Sequence, residues 1–225
     1  MSDRAILHSD LNCFYASVET VLNPEYREKA IAVCGSTEDR HGIVLAKSEP
    51  AKRLGVKTGM VNWQAKQLCP NLIIIPPNYE YYVKFSALVR NIYYRYTDLV
   101  EPFGLDECWL DVTASGALGS PTDIAEHIRR TVKEELGLTV SIGVSYNKVF
   151  AKLGSDYKKP DATTVISREN FKEIVYPLSV KDLLFVGKRT AETLAKLRIN
   201  TIGELANADD QQILSQYVGW GGLAD

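Results

Sequence analysis

Two carboxylates stand side by side, Asp106 and Glu107, inside the apolar run Phe103-Gly104-Leu105-Asp106-Glu107-Cys108-Trp109-Leu110. Adjacent charges in such a run are costly to bury unless something cationic meets them. A divalent metal is the obvious candidate, because hard cations take carboxylate oxygens. A third carboxylate, Asp10, has a similar setting after Ala5-Ile6-Leu7-His8-Ser9. If the three converge they form an acidic metal cluster. The alternative is a surface turn bearing Asp106 and Glu107, with Asp10 as a cap.

The order of elements supports convergence. Ala5–Leu11 reads as a buried strand, and Asn12–Leu22 as a helix with Phe14, Tyr15, Val18 and Val21 or Leu22 at helical spacing. Asn23-Pro24 ends it. Strands follow at Ala30–Cys34, Ile43–Ala46 and Leu72–Ile75. The polar loop Gly35–His41 and short helices at Pro50–Leu54 and Asn62–Cys69 lie between them. A long aromatic-rich helix is expected over Asn78–Thr97. Strands Val100–Phe103 and Glu107–Thr113 meet near Gly104. Ser120–Leu136 is a strongly periodic helix with Pro121 at its start and Gly137 after it. Leu138–Ser145 and Thr163–Ile166 are strands, with a helix at Val149–Ser155 between them. Beyond Ser167 only short helices are expected. Asp10 therefore lies where a strand gives way to a helix, and Asp106 and Glu107 at a tight connection between strands. Two metals about 3.5–4 Å apart, bridged by such carboxylates, hold the attacking and leaving oxygens of a phosphoryl transfer.

The 225 residues suffice for one large domain or two modest ones, and 45% hydrophobic with 24% charged residues is ordinary for a globular chain. No apolar stretch approaches the roughly 20 residues of a membrane helix. Met1-Ser2-Asp3-Arg4 leads into a strand rather than a signal peptide, so the expected location is cytoplasmic, with no membrane partner. Cys13, Cys34, Cys69 and Cys108 are scattered, form no CxxC pair and make no metal-ligand spacing with the histidines, so they read as reduced cysteines. The net charge is −2, yet Ser141–Asn200 carries eleven Lys/Arg against six Asp/Glu. A basic C-terminal third is compatible with a nucleic-acid ligand, and equally with uneven solvated charge.

His8-Ser9-Asp10-Leu11-Asn12-Cys13-Phe14-Tyr15-Ala16-Ser17-Val18-Glu19 resembles the first motif of Y-family, DinB/UmuC-type translesion DNA polymerases. Leu105–Val112 looks like their second, S-[IL]-D-E-x-[YF]-L-D. Ser141–Lys152 and Ser155-Asp156-Tyr157-Lys158-Lys159-Pro160 are similar to a third. The resemblance implies an α+β fold. A palm with a central mixed or antiparallel sheet would span 1–30 and 77–166, with a small fingers insertion at 31–76. An α-helical thumb with a helix-hairpin-helix-like unit would span 167–225. It implies an error-prone, template-directed DNA polymerase that adds dNTPs to a primer 3′-hydroxyl.

Residue by residue, the resemblance implies that Asp10, Asp106 and Glu107, with the main-chain oxygen of Leu11, hold two Mg²⁺ ions. Tyr15 falls at the steric-gate position that excludes a ribose 2′-hydroxyl. Phe14 stands beside it in the nucleotide site, and Lys159 matches a lysine on the triphosphate. Glu49 and Lys52 take the places of a Tyr and an Arg that grip the triphosphate in many members. Lys52 supplies charge without a bidentate fork, and Glu49 is expected to point away or to pair with a lysine. Val186-Gly187-Lys188-Arg189-Thr190 resembles the thumb hairpin that grips the DNA backbone, with Phe185 where a Gly is usual. Implied partners are primer–template DNA, dNTP and a sliding clamp reached through a missing C-terminal segment. Members normally continue into a little-finger domain, so a catalytic-core fragment or a natural truncation is expected. Two other readings compete. A nucleotide cyclase would carry a Gly-Gly-Asp/Glu-Glu-Phe signature, which is absent. A non-catalytic DNA-binding scaffold would not need the carboxylates.

Overall fold

The structure, a computed structural model, describes residues 3–36 and 42–209. Residues 37–41 of the expected polar loop, and residues 210–225 of the expected thumb, lie outside these.

All six residues of β1 (Ile6–Leu11) are buried. The strand occupies the centre of a sheet covered on both faces, which explains its weak alternation. It is followed by α1 (Phe14–Leu22), which starts after Cys13, a residue in the left-handed region at φ 50°. Next come β2 (Ile31–Cys34), β3 (Val44–Lys47), α2 (Glu49–Arg53), α3 (Asn62–Leu68) and β4 (Ile73–Ile75). They form a small three-stranded sheet of order β3-β2-β4. Its own apolar cluster is built from Ala32, Val44, Ala51, Val56, Ala65 and Leu72.

α4 (Tyr79–Tyr93) is shorter than the aromatic pattern suggests. Tyr94–Tyr96 tighten into turns, and Thr97 closes them, its N–H donating to the Tyr93 carbonyl and its hydroxyl to the Asp111 carbonyl. β5 (Val100–Phe103) and β6 (Glu107–Asp111) form a hairpin about Gly104, whose φ of 73° suits a residue without Cβ. α5 (Pro121–Leu136) opens with a Ser120/Asp123 capping box and ends at Gly137, φ 68°. β7 (Val140–Ser145), α6 (Lys148–Tyr157) and β8 (Thr163–Ile166) complete the large sheet, of order β5-β6-β1-β7-β8. β7 and β8 are parallel and the other pairs antiparallel, so the sheet is mixed. The remaining described helices are α7 (Phe171–Val175), α8 (Lys188–Lys196) and α9 (Ile202–Ala206).

Alternation assigns the two faces of the large sheet. Leu7, Leu11, Cys108, Leu110, Val140, Ile142 and Val144 join one core cluster with Tyr82, Val89 and Ile92 of α4 and Ile124, Ile128 and Val132 of α5. Ile6, His8 and Asp10 face the other way, toward α6. Gly143 pairs with His8 on that second face. A Cβ at Gly143 would overlap the Ala151 carbonyl of α6, and Gly154 lies against Gly143 from the helix side. Two glycines thus let a helix rest directly on strand backbone. No described helix is long and apolar enough to cross a membrane. All four cysteines are free, with Cys34, Cys69 and Cys108 buried.

Candidate active site

Register brings the first two carboxylates together. Asp10 in β1 pairs directly with Glu107 in β6, so both project from the α6 face. The β5–β6 turn curls over the end of β1, where the Leu11 N–H donates to the Asp106 carbonyl at 2.9 Å. Asp10, Leu11, Phe14, Lys52, Asp106, Glu107 and Lys159 all line one 320 Å³ cavity. Lys47 and Glu49 line it too.

The close approach of α6 supplies the counter-charges. Lys152 Nζ lies 3.3 Å from Asp10 Oδ2, 2.9 Å from Glu107 Oε2 and 3.1 Å from Asp156. Lys159 Nζ donates to Asp10 Oδ2 at 2.6 Å and contacts Asp156 at 2.7 Å. His8, fully buried, touches Ser155 Oγ through Nδ1 at 2.8 Å and places Nε2 3.0 Å from Glu107 Oε2. Burial holds His8 below the usual imidazole range. Burial also opposes ionisation of Glu107, but its cationic and hydrogen-bonding neighbours outweigh this and hold it at about 2. The neighbours responsible are His8 and Lys152. Burial works against the charge of Lys152 as well, yet Asp10, Asp156 and Glu107 surround it and keep it protonated. Asp106 has weaker support: burial first, then the Asp10 and Glu107 charges, push it up to about 6 against a smaller opposing pull from Lys159.

Among the described residues, no three His, Cys, Asp or Glu side chains are gathered closely enough to form a metal site. Asp10 instead turns onto Lys152 and Lys159. The donor set nonetheless suits hard cations. The buried Glu107 Oε2 has no hydrogen bond of good geometry despite its two cationic and imidazole neighbours. Asp106 carries a like-charge burden from Asp10 and Glu107 that Lys159 only partly relieves.

Lys159 is held in place from a distance. The Asp161 N–H donates to Asn12 Oδ1 at 2.8 Å, and the Asp161 carboxylate accepts from Arg129 at 2.8 Å and Lys133 at 2.9 Å, both on α5. Arg129 also donates to the Asp161 carbonyl. The neighbouring Lys158 is exposed.

Tyr15 lies beside the cavity rather than in its lining. It stacks on Tyr82 with ring centroids 4.2 Å apart and meets Tyr79 edge-on at 5.9 Å. Phe14, immediately before it, is buried in the cavity wall. Glu49 pairs with a lysine, the second of the two arrangements expected: it accepts from Lys52 at 3.3 Å and from the Cys13 thiol at 3.3 Å. Sequence reasoning does not single out His8, Asn12, Lys47, Lys152, Arg129 or Asp161. Lys152 carries a usable signal, its four-residue spacing to Asp156 on a helix that also presents Gly154.

The impB/mucB/samB family profile matches residues 9–156, from the strand that carries Asp10 to the end of α6. The chain belongs to this family. DNA polymerase IV of Acetivibrio thermocellus (strain ATCC 27405) is 57% identical over 219 residues, which are 97% of this chain and 55% of that protein. DNA polymerase IV 1 of Bacillus subtilis (strain 168) is 44% identical over 210 residues, 93% of this chain and 51% of that one. The chain spans about half the length of the curated relatives it matches. Among solved structures, the insertion ternary complex of Dbh DNA polymerase superposes with a TM-score of 0.87 at 29% identity, covering 94% of this chain and 63% of that one. A Y-family DNA polymerase chimera, Dbh-Dpo4(243-245)-Dbh, gives the same TM-score, identity and coverage. This chain thus has the fold of these Y-family DNA polymerases.

Proposed function

We propose that the chain is the catalytic core of a template-directed DNA polymerase of the translesion type, adding dNTPs to a primer 3′-hydroxyl. The observation that carries this is that Asp10, Leu11, Asp106 and Glu107 line one cavity whose walls also present Phe14, Lys52 and Lys159. Relatives named DNA polymerase IV, and solved ternary complexes of the same fold, support it. On this reading residues 1–30 and 77–166 are the palm, 31–76 the fingers and 167–225 the thumb.

Asp10, Asp106, Glu107 and the Leu11 carbonyl would hold two Mg²⁺ ions. Bound there, the ions supply charge neutralisation at the attacking and leaving oxygens. Lys159 and Lys52 offer point charges to a triphosphate. Lys159 can exchange the Asp10 carboxylate for phosphate oxygens, because its loop is already fixed through Asp161. Partners on this reading are primer–template DNA, dNTP and a sliding clamp, in the cytoplasm.

The test is primer extension at low salt with Mg²⁺, repeated with EDTA. Extension that stops on chelation supports the proposal. Mg²⁺-dependent DNA binding without extension refutes it.

Tyr15 is the steric gate on this reading, backed by Tyr82 so that its ring cannot retreat. Tyr15→Ala is expected to raise ribonucleotide incorporation relative to deoxyribonucleotide by about tenfold or more, as loss of a steric exclusion does. Unchanged sugar discrimination would remove Tyr15 from the nucleotide site.

A further inference from the structure

The hairpin before α8 places one residue against all local preference. Its neighbours turn inward: Leu183 packs with Leu153 and Ile166, Leu184 with Ile6, Trp109 and Ala151, and Val186 with Val180 and Leu194. Phe185, between them, is 85% exposed and has φ 67°. The left-handed region is unfavourable for a side chain with a Cβ, above all a bulky one. Neither apolar burial nor backbone preference in the chain itself accounts for a phenylalanine here. Such an outlier points to a ligand.

The surroundings say which ligand. Lys181, Lys188 and Arg189 are exposed beside the hairpin, against Asp182. Lys188 meets Glu192 only loosely, at 3.9 Å. Leu184 docks the hairpin beside Trp109, on the sheet face that carries Asp10 and Glu107. An apolar ring among cations, on the side of the acidic cavity, complements a polyanion with apolar sugar faces.

We propose that Phe185 is a DNA anchor, its ring packing on a deoxyribose face of the duplex backbone that the surrounding cations attract. The proposal rests on the polymerase reading above. Phe185 adds contact area without adding charge, so its contribution is independent of salt, whereas cation–phosphate contacts weaken as salt displaces them.

The experiment measures binding of a fluorescent duplex primer–template across a salt series. It compares the unaltered chain with Phe185→Ala, Phe185→Gly and the double variant Lys188→Ala/Arg189→Ala. Both Phe185 variants are expected to bind about tenfold more weakly, the scale of losing a partly buried ring. Their slope of log affinity against log salt should match that of the unaltered chain. Phe185→Gly should also melt about 2–4 °C above Phe185→Ala, the reverse of the usual order, because glycine accepts the positive φ. The double variant should lower the salt slope by about 2. Parental affinity in both Phe185 variants overturns the anchor, as does a loss of affinity accompanied by a changed salt slope. A double variant with parental affinity and slope takes the hairpin off DNA altogether, and so overturns the thumb assignment beneath the proposal. Failure of the unaltered chain to bind the duplex defeats the polymerase reading itself.

Discussion

Asp106→Asn is expected to abolish primer extension while leaving the chain more stable. The substitution keeps the shape of the side chain and removes the charge that a divalent cation needs. Losing one such ligand costs several kcal/mol of transition-state stabilisation, so extension should fall by about 10³-fold or more. Stability moves the other way. Burial and the charges of Asp10 and Glu107 raise the Asp106 carboxyl to about 6, above its value in an unfolded chain. The folded state therefore binds this proton more tightly, and stability is lost as pH rises from about 4 through 6. A neutral amide escapes that loss. At pH 7 without divalent cations the gain should be about 1 kcal/mol after solvent screening, and it should vanish below about pH 4. Urea melts at the two pH values, beside extension assays, measure both effects. An Asp106→Asn chain that extends primers normally would place the chemistry elsewhere.

Gly143→Ala should damage the whole assembly. The added methyl meets backbone, the Ala151 carbonyl and the Ser155 N–H of α6, and not the end of a flexible side chain. Neither β7 nor α6 can yield without breaking its own hydrogen bonds, so the cost should be about 3 kcal/mol or more. For a chain of this size that lowers the melting temperature by about 6–12 °C. Gly154→Ala meets its neighbours at 3.0 and 3.2 Å and should cost less. Any Gly143→Ala protein that does fold must lift α6. Lys152 would then lose its hold on Asp10 and Glu107, and Ser155 its contact with His8. A variant that melts with the unaltered chain would show that the helix does not rest on the strand.

These two residues mark the division between what the sequence discloses and what it hides. Asp106 is legible because a paired charge in an apolar run breaks a local rule, and local rules are written in adjacent residues. The strands and helices are legible for the same reason, since Pro24, Pro70, Pro121 and Gly137 punctuate them. Gly143 breaks nothing locally. Only the parallel placement of β8 beside β7, with α6 crossing between them, makes its missing Cβ indispensable. Lys152 is only half legible: its spacing to Asp156 shows in the sequence, but a lysine on an amphipathic helix suggests solvent, and only the depth to which α6 sinks turns it inward. The Asn12–Asp161–Arg129 arrangement joins residues 149 and 32 positions apart, and pattern within a window cannot reach so far. Tyr15 is located by its motif, but its backing by Tyr82 is not.

Pro102 stands opposite Cys108 in β5, a strand of four residues at the outer margin of the large sheet. A proline has no N–H to offer outward, and Glu101 beside it is held by Lys148 at 2.6 Å, so a charged pair stands at this margin. Two β5 margins brought together would lack a donor and would have to strip water from that charged pair. The sheet that displays the carboxylates is thus protected on this side from recruiting a further strand, a safeguard against aggregation while the chain is at high concentration or newly folded.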